Sequence, residues 1–373
     1  MKDTIYAALA RHLDNLPGGY PPTDSGVELR ILHRLFTPTE AELALHLTLI
    51  PEAPGVIARR ANLTPSEASR RLEEMAKKGL IFRIESKGQL PHYMAAQYVV
   101  GIWEFHVNSL DRAFIQDMNE YGPTLFKEAW KVPQLRTVPV GRSLTPQLEV
   151  FTYERAEALV RDHRKAVVAP CICRRERTMM EEGCGRPEET CLGFGMAAQY
   201  YDRNGLGRVI DRHEALAILE MADEAGLVLQ PGNAQKAAFI CCCCGCCCAV
   251  LRSIKQYPRP ASLVSTPFVA MANPDTCEGC GVCLDRCQME ALRLVEDRVC
   301  LDVGRCIGCG LCVSTCPTGS LTLIRKPESG QPGVPKTHTQ SALQLARSRG
   351  KLKSTELVMM QVKSKVDRLF ARR

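Results

Sequence analysis

The sequence has no apolar run near the roughly 20 residues that a membrane-spanning helix needs. Its first residues, MKDTIYAALARHLDNLPGG, carry charges inside the apolar stretch, which a secretory signal avoids. These absences make the cytoplasm the expected compartment. Catalytic signatures are missing as well. There is no phosphate loop, nucleophile elbow or HExxH pattern. Gly205-Leu-Gly207 lacks the third glycine and the preceding strand of a dinucleotide fingerprint and reads as a turn. The eight histidines are dispersed, and His163 and His213 are expected at the surface. No broad excess of positive charge exists either. The net charge is +7, yet nine Lys/Arg against two acidic residues in 341–373 account for all of it. A generally basic nucleic-acid-binding surface is therefore not indicated.

What remains is an ordinary globular composition, 45% hydrophobic and 24% charged, in a chain long enough for several domains. The distribution of its 20 cysteines is not ordinary. None precedes Cys171 and none follows Cys316. Tight groups of thiols seldom offer disulfide geometry, and in a reducing compartment such groups point to metal.

Residues 1–25 read as a short helix and a linker, PGGYPPTDSG. Residues 26–135 read as a winged helix-turn-helix with a helical extension. Helical periodicity runs from Val27 to Ile50, broken at Thr37-Pro38, and Pro54–Ala61 forms a second helix. Thr64-Pro-Ser-Glu67 is a capping box that opens a third helix, ending at Lys77-Lys78-Gly79. Leu80–Glu85 and His92–Val100 would be the wing strands, joined by a turn at Ser86-Lys-Gly-Gln. Trp103, Phe105 and Phe114 are expected to pack against this domain. The third helix has a net charge of only +1, with Glu67 at its base-reading end, so docking or dimerisation is a better expectation than DNA binding.

Residues 136–257 read as a cysteine-rich α/β domain. Strands are expected at Leu148–Tyr153, Ala166–Pro170 and Ala237–Ile240, and helices at Glu154–Lys165 and Arg212–Ala225. Parallel strands would bring Cys171 and Cys241 out on one edge. Residues 326–373 read as a Pro/Gly/Ser/Thr-rich linker and a basic helical tail. That tail is either solvated or suited to an acidic partner, a lipid surface or nucleic acid.

The densest signal lies in 258–325. Cys277-x-x-Cys280-x-x-Cys283-x-x-x-Cys287 recurs 29 positions later as Cys306-x-x-Cys309-x-x-Cys312-x-x-x-Cys316-Pro317. Two-residue gaps let three thiolates of one loop turn inward, while Gly279, Gly281, Gly308 and Gly310 permit tight turns and aim N–H groups at sulfur. This spacing resembles the bacterial-type ferredoxins with two [4Fe–4S] clusters. The resemblance implies that one cluster takes Cys277, Cys280, Cys283 and Cys316, and the other Cys306, Cys309, Cys312 and Cys287. Gln288 departs from the family, which usually has proline there. Cys300 falls in an expected hairpin, Leu292–Asp302, as a small apolar residue.

Eleven more cysteines lie upstream: Cys171, Cys173, Cys184 and Cys191, then Cys241-Cys-Cys-Cys-Gly-Cys-Cys-Cys248. They suggest one or two further [4Fe–4S] clusters, with structural zinc as the rival. Wrapping by a loop favours Cys171, Cys173, Cys184 and Cys191 as ligands. Cys241, Cys243, Cys244 and Cys247 are further candidates, since alternate members of an extended run can face one cluster.

The whole chain resembles winged-helix/ferredoxin fusion proteins of anaerobic bacteria. That resemblance implies a multidomain α+β electron-transfer component of an oxidoreductase rather than a stand-alone enzyme. Its partner would be a redox enzyme or another electron-transfer protein, with a homodimer through the winged domain. The rival function is a redox-responsive transcription regulator.

Overall fold

Threonine before a proline starts two of the N-terminal helices. Thr37 and Thr64 stand at N-caps, each accepting a hydrogen bond from the backbone N–H three residues on. The computed structural model describes residues 2–85, 88–129, 131–351 and 354–371. It is a mixed helix-and-strand chain with two units, one of Met1–Val132, Arg203–Leu206 and Ala342–Arg373, the other of Pro133–Asp202 and Gly207–Ser341.

The first unit begins with α1 (Lys2–Asp14), α2 (Val27–Leu35), α3 (Pro38–Ala44), α4 (Pro54–Ala61) and α5 (Pro65–Lys77). A hairpin of β1 (Ile81–Ile84) and β2 (His92–Ala95) follows, with Ile81 opposite Ala95. Then come α6 (Trp103–Phe105) and α7 (Arg112–Ala129). Helix expected as far as Ile50 ends at Ala44, and strand expected as far as Val100 ends at Ala95. Ser86 and Lys87 of the expected turn lie outside the described residues. The capping box at Thr64 is half formed, because the Glu67 carboxylate turns to Arg71 on its own helix. Trp103 meets Phe114 edge-on at 5.0 Å, and Phe105 stacks on Phe82.

The expected linker after α1 is buried from Leu16 to Tyr20. The reason is aromatic: the Tyr20 ring lies 5.0 Å from both Tyr98 and Tyr121, and its hydroxyl donates to the Glu28 carbonyl at 2.8 Å.

The second unit starts with irregular chain. Leu148–Tyr153, expected as a strand, forms none; Thr152–Glu154 is a 3-10 turn closed by the Glu154 carboxylate on the Phe151 N–H. Next are α8 (Ala156–Arg161), β3 (Ala166–Pro170), α9 (Ile172–Met179), β4 (Glu189–Phe194), α10 (Gly195–Arg203) and β5 (Arg208–Ile210). They are followed by α11 (Arg212–Glu224), β6 (Val228–Pro231), β7 (Phe239–Cys243) and α12 (Ala249–Lys255). The five strands form one sheet, ordered β5-β3-β4-β7-β6, and every neighbouring pair is antiparallel. Thus β3 and β7 run the same way, but β4 lies between them.

The rest of this unit is β8 (Phe268–Ala272), α13 (Val282–Arg286), β9 (Leu292–Val295), β10 (Arg298–Leu301) and β11 (Leu321–Arg325). β8 pairs with β11, joining the start of the segment to its end. Glu296 and Asp297, both left-handed, turn the β9–β10 hairpin. Asp223 on α11 ties this segment to the five-stranded part. Its carboxylate accepts from Arg286 at 2.9 Å, Ser314 at 3.0 Å and Arg142 at 2.6 Å.

The chain continues with α14 (His338–Ser348) and α15 (Ser354–Ala371). Within the first unit, α15 packs on α4. Arg60 bonds Asp367 at 2.6 Å and Glu52 at 2.6 and 2.7 Å, and Ser364 donates to Glu52. No helix among the described residues is long and apolar enough to cross a membrane.

Candidate metal centres

Two repeated loops build the first centre. Gly279, Gly281, Gly308 and Gly310 all take left-handed φ between 64° and 76°, the conformation expected of them. A side chain at Gly308 would run into the Phe268 carbonyl, and one at Gly279 would lie 2.7 Å from the Asp297 carbonyl. The loops therefore press close against neighbouring backbone, and their thiols face inward. Cys277, Cys280, Cys283 and Cys316 line a common cavity, closed by Leu294, Val299 and Leu321. Three of these cysteines come from one run and the fourth from the other.

The second loop is more enclosed. Burial pushes the Cys309 thiol up to about 12, and burial with repulsion from Cys309, Cys306 and Cys287 raises Cys312 further. Backbone N–H groups approach the sulfurs throughout: Ala291 to Cys287 at 3.2 Å, Ala270 to Cys306 at 3.4 Å and Gly279 to Cys277 at 3.4 Å. Cys300 is half-buried in β10, opposite Arg293.

Gln288, the departure from the family proline, is buried. Its Oε1 accepts the Gly245 N–H at 2.7 Å, and a side chain at Gly245 would collide with the Gln288 carbonyl. The contiguous cysteine run thus touches the turn that carries Cys287.

The upstream cysteines sort into two sets. Sheet register creates the larger one. Ala169 opposes Cys191, and Cys191 opposes Cys241. Cys171 lies two residues beyond Ala169, and Cys243 two beyond Cys241. Side chains two apart on a strand share a face, so β4 and β7 present Cys191, Cys241 and Cys243 together, and Cys171 follows at the N-cap of α9 just past β3. Cys173 joins from the first turn of α9, and Cys248 from the N-cap of α12. Neighbouring thiols of the six influence one another's protonation in the order Cys171–Cys173–Cys248–Cys243–Cys241–Cys191. Thiol–thiol interaction holds Cys171, Cys241 and Cys248 below the ordinary thiol value against the effect of burial, and the same interaction together with burial holds Cys173 and Cys243 above it. Cys242 lies between on the other face, and burial raises it.

The smaller set is Cys184, Cys244, Cys246 and Cys247, with all four sulfurs within 4.8 Å of one another. Gly245–Cys247 is a turn that ends the strand alternation. Burial would raise the Cys184 thiol, but hydrogen bonds from the Arg186 backbone, Cys247, the Arg186 guanidinium and Cys246 bring it down to about 6.

The expected ligands therefore divide. Cys171, Cys173, Cys191, Cys241 and Cys243 fall in the larger set, and Cys184, Cys244 and Cys247 in the smaller. Cys246 and Cys248 complete the two sets and were not among the expected ligands. Strand alternation stops at Cys243, and no spacing rule reaches across the turn and the following helix cap. Parallel neighbouring strands, the expected cause of the meeting of Cys171 and Cys241, are replaced by β4 and its own Cys191. Arg174 lies between the sets. Burial opposes its charge, yet Cys171, Cys244 and Cys243 hold the guanidinium above its ordinary value, and it donates to Cys244 Sγ at 3.7 Å. His163, expected at the surface, is half-buried and stacked on Phe194 at 4.9 Å; His213 is exposed.

Residues 276–320 match the family described as the 4Fe-4S dicluster domain. No curated protein and no solved structure matches the chain. The chain carries an iron–sulfur, ferredoxin-like module there. Its donor set fits such a group. Four of the thiols line one cavity, burial disfavours bare thiolates, and N–H groups are directed at sulfur.

Proposed function

We propose that this chain is an electron carrier that exchanges single electrons with a partner oxidoreductase. The observation that carries the reading is the cavity shared by Cys277, Cys280, Cys283 and Cys316, which draws its fourth thiol from the second run. Cys306, Cys309, Cys312 and Cys287 are the matching second ligand set. When bound, each [4Fe–4S] cluster takes up or gives up one electron. The residues around it hold the thiolates fixed, direct N–H dipoles at them and exclude water through Leu294, Val299 and Leu321. The six-thiol set of Cys171, Cys173, Cys191, Cys241, Cys243 and Cys248 is the seat of a further [4Fe–4S] cluster. Its support is the register that sets Cys191 against Cys241, with Cys243 two residues on along β7, next to the helix starts that carry Cys171, Cys173 and Cys248.

We assign the N-terminal winged-helix elements to docking. The α5 cations Arg70, Arg71 and Lys77 pair with Glu74, Glu67 and Glu73 of the same helix, which leaves little free charge for phosphates. The α15 residues Met359, Val362, Val366 and Leu369 are exposed at helical spacing and offer an apolar face to a partner or a second copy.

The test is iron and sulfide analysis of the full chain purified without oxygen, with low-temperature EPR after reduction. Three clusters give about 12 iron and 12 sulfide, and a spectrum broadened by neighbouring spins. About 8 iron removes the cluster of the six-thiol set; colourless, iron-free protein overturns the reading.

A further inference from the structure

Four thiols that hold one ion stand closer together than four that hold a cage. At about 2.3 Å from a single tetrahedral ion, sulfurs lie about 3.8 Å apart. A cubane has a thiolate on each outer corner, so its core holds the sulfurs farther apart. Both situations occur within one unit of this chain. The thiols of Cys277, Cys280, Cys283 and Cys316 line one cavity without closing to that spacing. In the smaller upstream set, Cys184 and Cys244 are 3.9 Å apart, Cys246 and Cys247 are 3.9 Å apart, and all four sulfurs fall within 4.8 Å. Among the described residues, this is the one group of Cys, His, Asp or Glu donors found to close to that spacing.

We propose that Cys184, Cys244, Cys246 and Cys247 form a mononuclear site for one thiophilic divalent ion, zinc or ferrous iron, separate from every iron–sulfur cluster of the chain. The donor set is complete at four thiolates and leaves no open position, which is the pattern of a structural ion rather than a reactive one. Outer-sphere groups are in place. The Arg186 guanidinium donates to Cys246 Sγ at 3.4 Å, and Arg174 donates to Cys244 Sγ at 3.7 Å. A divalent ion with four thiolates carries two negative charges, and the two guanidinium groups offset them. Arg186 is itself held by a hydrogen bond to the Ala225 carbonyl at 3.1 Å.

The ion would join two loops that are distant in sequence, the one carrying Cys184 and the turn after β7. Neither loop has regular structure to fix it. The second also bears Gly245, whose N–H is bonded to Gln288 beside Cys287. The ion therefore braces the surface on which the ferredoxin-like module rests, and metal binding here is also folding free energy for that surface.

The test uses the full chain, purified without oxygen, with zinc, iron and sulfide measured together. The wild type is expected to hold about one zinc, or about one iron in excess of sulfide. Cys246→Ser, at an exposed position, should lose that single ion and keep the remaining iron and sulfide. Cobalt exchanged into the site should give the visible bands of a tetrahedral tetrathiolate, absent from Cys246→Ser. Excess zinc fixes the ion as zinc, and iron in excess of sulfide whose high-spin ferric EPR signal appears only after one-electron oxidation with ferricyanide fixes it as iron; either supports the site. Loss of about four iron and four sulfide in Cys246→Ser would show a cluster instead. A zinc content unchanged in both Cys246→Ser and Cys184→Ser would also overturn the proposal. Cys280→Ser, measured alongside, reports on the ferredoxin-like module, so the two readings fail separately.

Discussion

The ferredoxin-like module and the sheet domain before it both concentrate cysteines, but they position them by different means. In the module, one short loop sets three thiols and a glycine turn repeats, so ligand spacing is written along the chain. In the sheet domain, the thiols come from β4, β7, two helix starts, a loop and a turn. There, position along the chain says little, and strand register and the end of β7 decide which sulfurs meet. A site built by a loop survives as a sequence pattern; one built by tertiary pairing does not.

The largest expected effect lies in the loop-built region. Cys312→Ser removes a buried thiol of the second run and should cost about four iron and four sulfide, measured by elemental analysis and by loss of the interaction-broadened EPR signal. In the register-built region, neighbours in sequence should differ sharply. Cys241→Ser should lose about four iron while the signals of the module persist. Cys242→Ala, on the opposite sheet face, should keep all metal and lower unfolding stability by only about 1 kcal/mol. Equal metal loss in the two variants would break the comparison.

The contact between the regions can be probed through Gln288. Gln288→Pro restores the residue usual in ferredoxins but deletes the acceptor of the Gly245 N–H. It should cost about 1–3 kcal/mol in chemical unfolding, with iron content unchanged. The smallest effect concerns the start of β7. His338 Nε2 accepts the Ala238 N–H at 2.9 Å, and burial, with help from Arg136, lowers its pKa. Below about pH 6.5 the unfolded chain takes up the proton before the folded one does. Stability should therefore be full above that pH and decline as pH falls toward the depressed folded value. His338→Gln should flatten this decline in thermal unfolding between pH 7 and 5.

Much of the fold was legible where local chemistry acts alone. Thr37-Pro38, Thr64-Pro65 and the Gly279/Gly308 repeat each specify their own backbone. The burial of Pro17-Gly18-Gly19 was not legible, because it depends on Tyr98, Tyr121 and Arg349, all distant in sequence. β4 was missed for a related reason. Glu189–Phe194 is short and contains Gly193, and only its pairing on both sides makes it a strand. The roles of Cys246 and Cys248 became visible only with the turn at Gly245 and the cap of α12.

Arg174 ties the two upstream thiol sets to a common counter-charge. One guanidinium cannot neutralise both fully, so whatever makes one set more negative draws the cation toward it and leaves the other less compensated. Negative charge added at the six-thiol set would then draw the guanidinium away from Cys244 and leave the four-thiolate site less compensated, a coupling that needs no movement of the backbone.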